Sequence, residues 1–321
     1  MQKIDPSVKD LGEFKVERFI PSPNVRMVGP FVFFDHLPKA SFDIGKGINV
    51  RPHPHTGLST VTYLFEGEIL HRDSLGSVQP ITPGAINWMT AGRGIVHSER
   101  DTHEARSRQS VLHALQAWVA LPRRNKNVEP SFTHVAKHDL PVVYPPGQMV
   151  RVLAGEAHGV TAPINRNHCC CDILYVDIVA KAGTSIDIAS YANINDPAQE
   201  STEANSAREL AILVVGGKLS VRDIEAVHAS ASGTELSAGD LFYVAAEDTK
   251  QLELQVKTDA RVVLFGGAKW DEKPILEWNF LAWSIEEMQG HKQRWKSDAF
   301  PTIPYDDLER IPLPSDKSKT A

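Results

Sequence analysis

Short apolar strands separated by turn residues constrain the fold of this chain more than any other feature. Strand-like runs occupy residues 14–18, 31–35, 58–65, 69–72, 85–90 and 112–120. Turn signals such as Gly29-Pro30, Gly67 and Pro83-Gly84 lie between them. Strands that recur at roughly eight to twelve residues, with almost no helical periodicity, are typical of antiparallel sandwiches and barrels. We therefore predict an all-β fold.

The second half of the chain repeats the pattern of the first. Residues 214–221 resemble residues 64–69, and residues 236–243 resemble residues 81–88. Self-similarity of this kind predicts an internal duplication, and hence two similar antiparallel sandwiches or barrels. The chain of 321 residues is long enough for two domains of roughly 150 residues each. We place the domains at 1–150 and 151–321, and we expect a cut near Val150 to destabilise the first half.

The C-terminal segment differs from both halves. Ser284-Ile285-Glu286-Glu287 is a helix-capping signature. Ile285, Met288, Lys292 and Trp295 follow a helical period, which predicts a short helix of about twelve residues that packs on a barrel. Residues 301–314 are proline-rich and predicted to be extended, and residues 315–321 are predicted to be frayed.

Composition narrows the function classes. The formal net charge of -6 comes with no long block of like charge, which argues against a nucleic-acid-binding surface. No apolar run approaches the roughly 20 residues that span a bilayer, and the first residues lack the apolar core of a signal peptide. We therefore expect a cytoplasmic protein with neither a membrane nor a nucleic-acid partner.

The three cysteines, Cys169, Cys170 and Cys171, are contiguous. An odd, contiguous set cannot form a disulfide framework and fits a reducing compartment. Metal binding or oxidant sensing by these thiols is one interpretation. Buried or half-buried strand positions are the interpretation that we favour.

Two pairs of potential metal ligands stand at spacing i, i+2, as His53-Pro54-His55 and His97-Ser98-Glu99. Residues two apart in a strand point to the same face, so neighbouring strands would bring three imidazoles and one carboxylate to one point. Pro54 removes a backbone donor, which indicates a strand at a sheet edge or barrel rim.

Such a ligand set suits Fe(II), Ni(II), Cu(II) or Mn(II) and leaves two octahedral positions open for dioxygen or substrate. A structural zinc fits less well, because such sites usually close with four ligands that are rich in cysteine. The remaining histidines with no comparable arrangement are expected to be solvated or hydrogen-bonded: His71, His103, His113, His134 and His138. The positions of the second half that answer His97 and Glu99 are Leu252 and Leu254, so we predict a second barrel without metal.

Residues 53–57, 62–67 and 83–99 resemble the pirin family of the cupin superfamily. The resemblance extends over nearly the whole chain, through residues 29–36, 116–119, 151–156 and 265–267. It implies a bicupin with two barrels of the double-stranded β-helix or jelly-roll type and one mononuclear iron in the N-terminal barrel. The ligands it implies are His53, His55, His97 and Glu99. The metal expected is Fe(II), with Mn, Ni, Cu, Co or Zn as alternatives.

One departure concerns the pocket wall, because relatives commonly carry an arginine, an aromatic residue and a glutamate where this chain has Thr56, Leu58 and Ser59. None of these three is a ligand in the family. Substrate preference is therefore less constrained by the resemblance than metal binding is.

Two functions from different classes follow from the resemblance. The first is a quercetin 2,3-dioxygenase-type oxygenase that opens a flavonol-like or enediol-containing aromatic substrate, with Glu99 as the catalytic proton acceptor. Trp88, Met89 and Phe65 would line its mouth, or else pack in the strand core. The second is a non-enzymatic, iron-dependent redox sensor that binds a transcription factor or a metabolic enzyme. A cupin that binds a metabolite without turnover is a third possibility.

Overall fold

The computed structural model describes residues 1–194, 207–223 and 233–314. The strands of its first part are β1 Gln2–Ile4, β2 Ser7–Asp10, β3 Lys15–Ile20, β4 Phe31–Phe42, β5 Asn49–His55, β6 Leu58–Glu66, β7 Ile69–Asp73, β8 Val78–Ile81, β9 Ile86–Thr90, β10 Ile95–Arg100, β11 Ser110–Ala120 and β12 Ser131–Val135. Those that follow are β13 Val142–Val143, β14 Gln148–Ala157, β15 Val160–Thr161, β16 Leu174–Ala180, β17 Ser185–Asp187, β18 Arg208–Gly216, β19 Lys218–Asp223, β20 Glu235–Ser237, β21 Leu241–Val244, β22 Leu252–Val256, β23 Ala260–Ala268, β24 Ile275–Glu277 and β25 Phe280–Ala282. The predicted all-β class is confirmed.

Helices are short and few by comparison. They are α1 His103–Arg106, α2 Arg166–Cys169, α3 Ala189–Ala192 and α4 Ile285–Lys296, with 3-10 turns at Arg123–Asn125 and Ala246–Gln251. No helix among the described residues is long and apolar enough to cross a membrane.

The chain packs into two compact units built from interleaved segments. The histidine unit comprises Val8–Arg18, Val32–Lys137 and Glu272–Ala321, and the cysteine unit comprises Met1–Ser7, Phe19–Phe31 and His138–Asp271. Segments of both units therefore lie on each side of residue 150, which itself falls inside β14.

The histidine unit contains a seven-stranded sheet of order β12-β9-β6-β11-β4-β3-β2 and a four-stranded sheet of order β5-β10-β7-β8. Its core includes apolar side chains from strands of both sheets, such as Leu37, Leu64 and Leu112 from the larger sheet and Ile69 and Ile81 from the smaller. Burying each such side chain stabilises the unit by about 1.5–3 kcal/mol before the entropic cost of ordering the chain.

The cysteine unit repeats this arrangement, as the duplication predicts. Strands β21-β18-β23-β16 are neighbours in its large sheet, as β9-β6-β11-β4 are in the other unit, and its small sheet has the order β17-β22-β19-β20. The strand that answers β10 is β22, where Leu252 and Leu254 are fully buried in the apolar core. Leu254 pairs with Ile186 on β17, whereas His97 pairs with His53 on β5. Apolar packing thus occupies the place that histidines occupy in the histidine unit.

The predicted C-terminal helix is confirmed, with one correction. Helix α4 begins after Ser284, whose side chain accepts a hydrogen bond from the Glu287 backbone N–H at 3.2 Å. Its buried face carries Met288, His291 and Trp295, whereas Ile285, which we predicted on that face, is 64% exposed in the first turn. The helix belongs to the histidine unit. Residues 301–314 form no regular element, and the predicted fraying of 315–321 lies outside the described residues.

The cysteine run is not in a strand, contrary to our prediction. Cys169 ends the short helix α2, and Cys170 follows with φ +59°, so the alternation of a strand does not apply to these residues. Their predicted burial is correct, because Cys169 is buried and its two neighbours are half-buried. A hydrogen bond with Cys169, followed by burial, raises the pKa of the Cys171 thiol, which is the opposite of what a reactive thiolate needs.

Candidate metal centre

Three of the predicted ligands meet on two adjacent strands. His53 on β5 stands opposite His97 on β10, and His55 stands opposite Ile95. The ring centres of His53 and His97 are 4.3 Å apart, and those of His55 and His97 are 5.0 Å apart. Within the described residues, these histidines form the one group of three or more potential ligands whose ligand atoms all lie within 4.8 Å of one another. Strand β5 is an edge strand, as Pro54 predicts.

Backbone carbonyls orient two of the imidazoles. The Nδ1 of His53 lies 2.8 Å from the Arg51 carbonyl oxygen, and the Nδ1 of His55 lies 3.1 Å from that of Asn279. Because a carbonyl only accepts, each Nδ1 must carry the hydrogen and each Nε2 keeps a free lone pair. Metal-ligating histidines are commonly held in this tautomer by such a contact.

The third imidazole has no hydrogen-bond partner for either nitrogen among the described residues, although it is 1% exposed. An unpaired buried polar group costs about 1–3 kcal/mol, and native structures rarely leave one without a purpose. A bound cation would satisfy the lone pair of His97. The residues present therefore fit a metal ion.

Burial also fixes the protonation of the cluster. It lowers the pKa of His53 to about 4, and it holds the pKa values of His55 and His97 well below the ordinary value, with proximity to the other histidines acting in the same direction. All three imidazoles are therefore neutral near pH 7. Neutral imidazole is the form that binds a metal ion.

Glu99, the predicted fourth ligand, is buried on the same strand but is not a member of the 4.8 Å group. Between His97 and Glu99 the pairing with β5 is irregular, since one residue on β10, Ser98, stands against two on β5, Arg51 and Pro52. Such bulges are frequent next to functional sites. Burial raises the pKa of Glu99, while the charge of His71 and a 3.1 Å hydrogen bond from the Thr62 hydroxyl partly offset this effect. The role of Glu99 as a ligand stays a prediction.

Two groups beside the cluster were not singled out by the sequence pattern. His71 on β7 lies with its ring centre 5.4 Å from that of His97, and its Nε2 is 3.0 Å from Oδ2 of buried Asp73. Trp118 on β11 packs edge-on against His55 at 5.0 Å. The i, i+2 spacing of His71 and Asp73 was a usable signal, because it puts both side chains on one face of β7. Nothing local to Trp118 indicated its contact.

The residues predicted at the mouth are packed in the strands instead. Trp88 and Met89 are each 1% exposed, and Phe65, 8% exposed, contacts Tyr63 and His113. Of the two interpretations given for these three residues, packing in the strand core is therefore the correct one. Other histidines are hydrogen-bonded or solvated as expected: His134 contacts Asn87, His113 contacts His36, and His103 and His138 are exposed.

Comparison with known proteins places this geometry in a family. A family model described as Pirin matches residues 13–119, and one described as Pirin C-terminal cupin domain matches residues 191–301. The chain is 36% identical to a pirin-like protein of Caulobacter vibrioides over 313 residues, which is 97% of this chain and 98% of that protein.

Comparison with solved structures gives the same family and fold. A quercetin 2,3-dioxygenase from Acinetobacter baumannii has a TM-score of 0.81 at 30% identity, covering 98% of this chain and 95% of that one. A bacterial pirin from Escherichia coli in complex with nickel(II) has a TM-score of 0.58 at 18% identity, covering 84% and 99%, and shares the fold. Similarity along nearly the full length of both sequences confirms the resemblance seen in residues 53–99: this chain belongs to the pirin family.

Proposed function

We propose that this protein is a metal-dependent dioxygenase of the quercetin 2,3-dioxygenase type, acting on flavonol-like or other enediol-containing aromatic substrates. The observation that carries the proposal is the cluster of three buried, neutral imidazoles, one of which has no hydrogen-bond partner among the described residues. The likeness to the Acinetobacter baumannii quercetin 2,3-dioxygenase supports the reaction type. Free rather than disulfide-bonded cysteines are consistent with a cytoplasmic location.

In this proposal His53, His55 and His97 hold the metal, with Glu99 as the fourth ligand. Fe(II) is the proposed ion, and Mn, Ni, Cu, Co and Zn are the alternatives; the nickel(II) complex of the Escherichia coli relative supports such breadth. The bound ion would supply Lewis acidity toward a substrate oxygen and the redox activity that dioxygen chemistry requires.

Glu99 is the proposed proton acceptor for a substrate hydroxyl. A carboxylate whose pKa is raised by burial is a better base near neutral pH than an ordinary exposed one. The Thr62 hydroxyl carries one hydrogen and lies within reach of both Glu99 and the Gln116 side-chain oxygen, at 3.1 and 2.9 Å. It can therefore turn from one acceptor to the other as the charge of Glu99 changes.

Aromatic side chains form an apolar wall on one side of the cluster. Trp118 covers His55, and Phe33 stacks on Trp118 with ring centres 4.0 Å apart and planes 12° from parallel. Arg18 lies over the other side of this pair, 4.3 Å from the Phe33 ring centre. An apolar wall of this kind would strengthen electrostatic interactions at the cluster and would suit an aromatic substrate.

The test of the reaction is Glu99→Gln, assayed aerobically with a flavonol panel after anaerobic Fe(II) loading. Glutamine keeps the shape but loses charge and basicity. We expect the variant to retain part of its metal and to lose turnover by about two to four powers of ten, as when a positioned base is removed. Glu104→Gln, on the exposed helix α1, is the matched control and should behave as wild type.

Wild-type turnover in Glu99→Gln would reject the base role. A wild type that binds iron but turns over no flavonol would reject the oxygenase and favour the redox-sensing regulator, for which partner binding should follow the oxidation state of the metal. His97→Ala serves as the inactive reference in both cases.

Metal binding is tested separately by the metal content of the purified protein. We expect near-equimolar metal in the wild type and its collapse in the His53→Ala/His55→Ala double variant. The control is the double variant His103→Ala/His138→Ala, which removes two exposed histidines. Full metal content in the first double variant would refute the ligand assignment.

A further inference from the structure

The C-terminal segment, residues 277–311, runs along the strand β5 that carries two of the clustered histidines. The Asn279 carbonyl accepts the hydrogen bond from His55 Nδ1 at 3.1 Å. The Leu281 backbone N–H donates to the Thr56 carbonyl at 3.1 Å, and the Ile311 N–H donates to the Pro52 carbonyl at 2.8 Å. Contacts of this segment therefore begin before His53 and end after His55.

The same segment also contacts the face of β10 that points away from the histidine cluster. The Ser98 hydroxyl donates to Asp306 Oδ2 at 2.6 Å, and Arg100 donates to the same carboxylate through Nε at 3.1 Å and Nη2 at 2.8 Å. Val96 packs in an apolar cluster with side chains of this segment: Phe280, Ala282, Met288, Trp295, Phe300 and Ile303. Because side chains alternate along a strand, Val96, Ser98 and Arg100 face this segment while His97 and Glu99 face the other way.

The backbone of the segment is fitted closely to the end of β5. Gly57 has φ +70°, and a Cβ built there would lie 2.5 Å from the Leu281 carbonyl oxygen. Trp278 has φ +53°, a conformation that bulky residues rarely adopt, in the two-residue turn that presents the Asn279 carbonyl to His55. Surrounding packing must hold such a conformation, because it costs about 1–3 kcal/mol.

Two carboxylates of the segment pair with Arg100: Asp306 at 2.8 Å and the more exposed Glu309 at 3.1 Å. Asp306 is the one that also binds Ser98. Its side chain is 13% exposed and that of Arg100 is 20% exposed, so their ion pair is partly shielded from water. Hydrogen bonds to a carboxylate are shorter and stronger than neutral ones, and here a single carboxylate bridges two residues that flank Glu99.

We infer that Asp306 is a positioning residue for the metal centre proposed above: by binding Ser98 and Arg100 it fixes β10 so that His97 stands opposite His53. The inference rests on the proposed metal binding. Asp306 touches no ligand itself and acts through the strand that carries two of them.

The experiment measures Ni(II) and Co(II) binding to the full-length, metal-free protein in four forms: wild type, Asp306→Ala, Asp306→Glu and Asp307→Ala. Asp307 is exposed and adjacent, so its variant is the matched control. We expect Asp306→Ala to weaken Ni(II) binding about tenfold, the lower end of what loss of an outer contact costs a metal site. We also expect its Co(II) absorption spectrum to change, Asp306→Glu to recover part of the affinity, and Asp307→Ala to match wild type.

A purely structural role would lower the unfolding temperature of metal-free Asp306→Ala and leave Ni(II) affinity and the Co(II) spectrum unchanged; that result overturns the inference and leaves the proposed metal binding intact. A wild type that binds neither ion overturns both. If Asp306→Ala does not fold, Ser98→Ala removes one hydroxyl from the same contact. Affinity within twofold of wild type, with an unchanged spectrum, would then count against the inference.

Discussion

Acidification should destabilise the metal-free protein through its buried histidines. His53 has a pKa of about 4 in the folded chain against an ordinary value of 6.5. The unfolded chain therefore takes up a proton as the pH falls below about 6.5, whereas the folded chain does not until about pH 4. Stability is present above the unfolded pKa and is lost as the pH falls between these values. At pH 5 the pH lies about 1.5 units below the pKa of His53 in the unfolded chain. At about 1.36 kcal/mol per unit, His53 therefore lowers the free energy of unfolding by about 2 kcal/mol relative to pH 7.

Other buried groups also contribute to the total pH dependence. The lowered pKa values of His55 and His97 act in the same direction as that of His53, whereas the raised pKa of Glu99 acts in the opposite direction. Comparison with His53→Gln isolates one contribution, because glutamine stays neutral at every pH. His138→Gln, at an exposed position, controls for loss of a histidine as such.

The assay is urea unfolding of metal-free protein at pH 7 and pH 5. We expect the wild type and His138→Gln to lose about 2 kcal/mol more than His53→Gln between the two conditions. An equal loss in all three proteins would show that His53 is not held neutral by the fold. The stated protonation of the cluster would then be wrong.

Two further predictions address single contacts, and a third addresses the second barrel. Thr62→Val removes the hydroxyl that donates to Glu99, so the pKa of this proposed ligand should rise. Because the ligand binds in its deprotonated form, the pH midpoint of Ni(II) binding should then rise by about one unit. Thr133→Val on β12 should leave the midpoint unchanged. Trp118→Leu removes the ring that contacts His55 and Phe33 and should lower the free energy of unfolding in urea by about 2–4 kcal/mol. In crystals soaked with metal, the anomalous map should show an ion at His53, His55 and His97 but none within residues 151–270, where Leu252 and Leu254 are buried; a second peak there would refute the metal-free second barrel.

The sequence predicted those parts of the molecule that depend on local periodicity. The alternation of side chains along β5 and β10 was enough to predict that His53, His55 and His97 meet. The repeated turn residues were enough to predict the duplicated sheets. The capping signature located helix α4 from its first residue, Ile285, although its buried face also depended on what lay opposite.

Contacts between distant segments carry no local signal. The Asn279 carbonyl meets His55 from 224 positions away, and Asp306 meets Ser98 from 208. Neither residue belongs to a periodic pattern, so neither could be inferred before the chain was folded. The prediction for the cysteine run was wrong for a different reason. Periodicity cannot distinguish a short apolar strand from one turn of helix, and Cys169 lies in a helical turn.

The edge position of β5 has a consequence for self-association. An edge strand offers unpaired backbone groups to any other chain, and such edges start aggregation unless they are blocked. Pro52 and Pro54 lack the N–H that an added strand would need, and the Pro52 and Thr56 carbonyls are already taken by Ile311 and Leu281. The strand that supplies two candidate ligands is thereby closed to foreign strands by its own prolines and by the C-terminal segment.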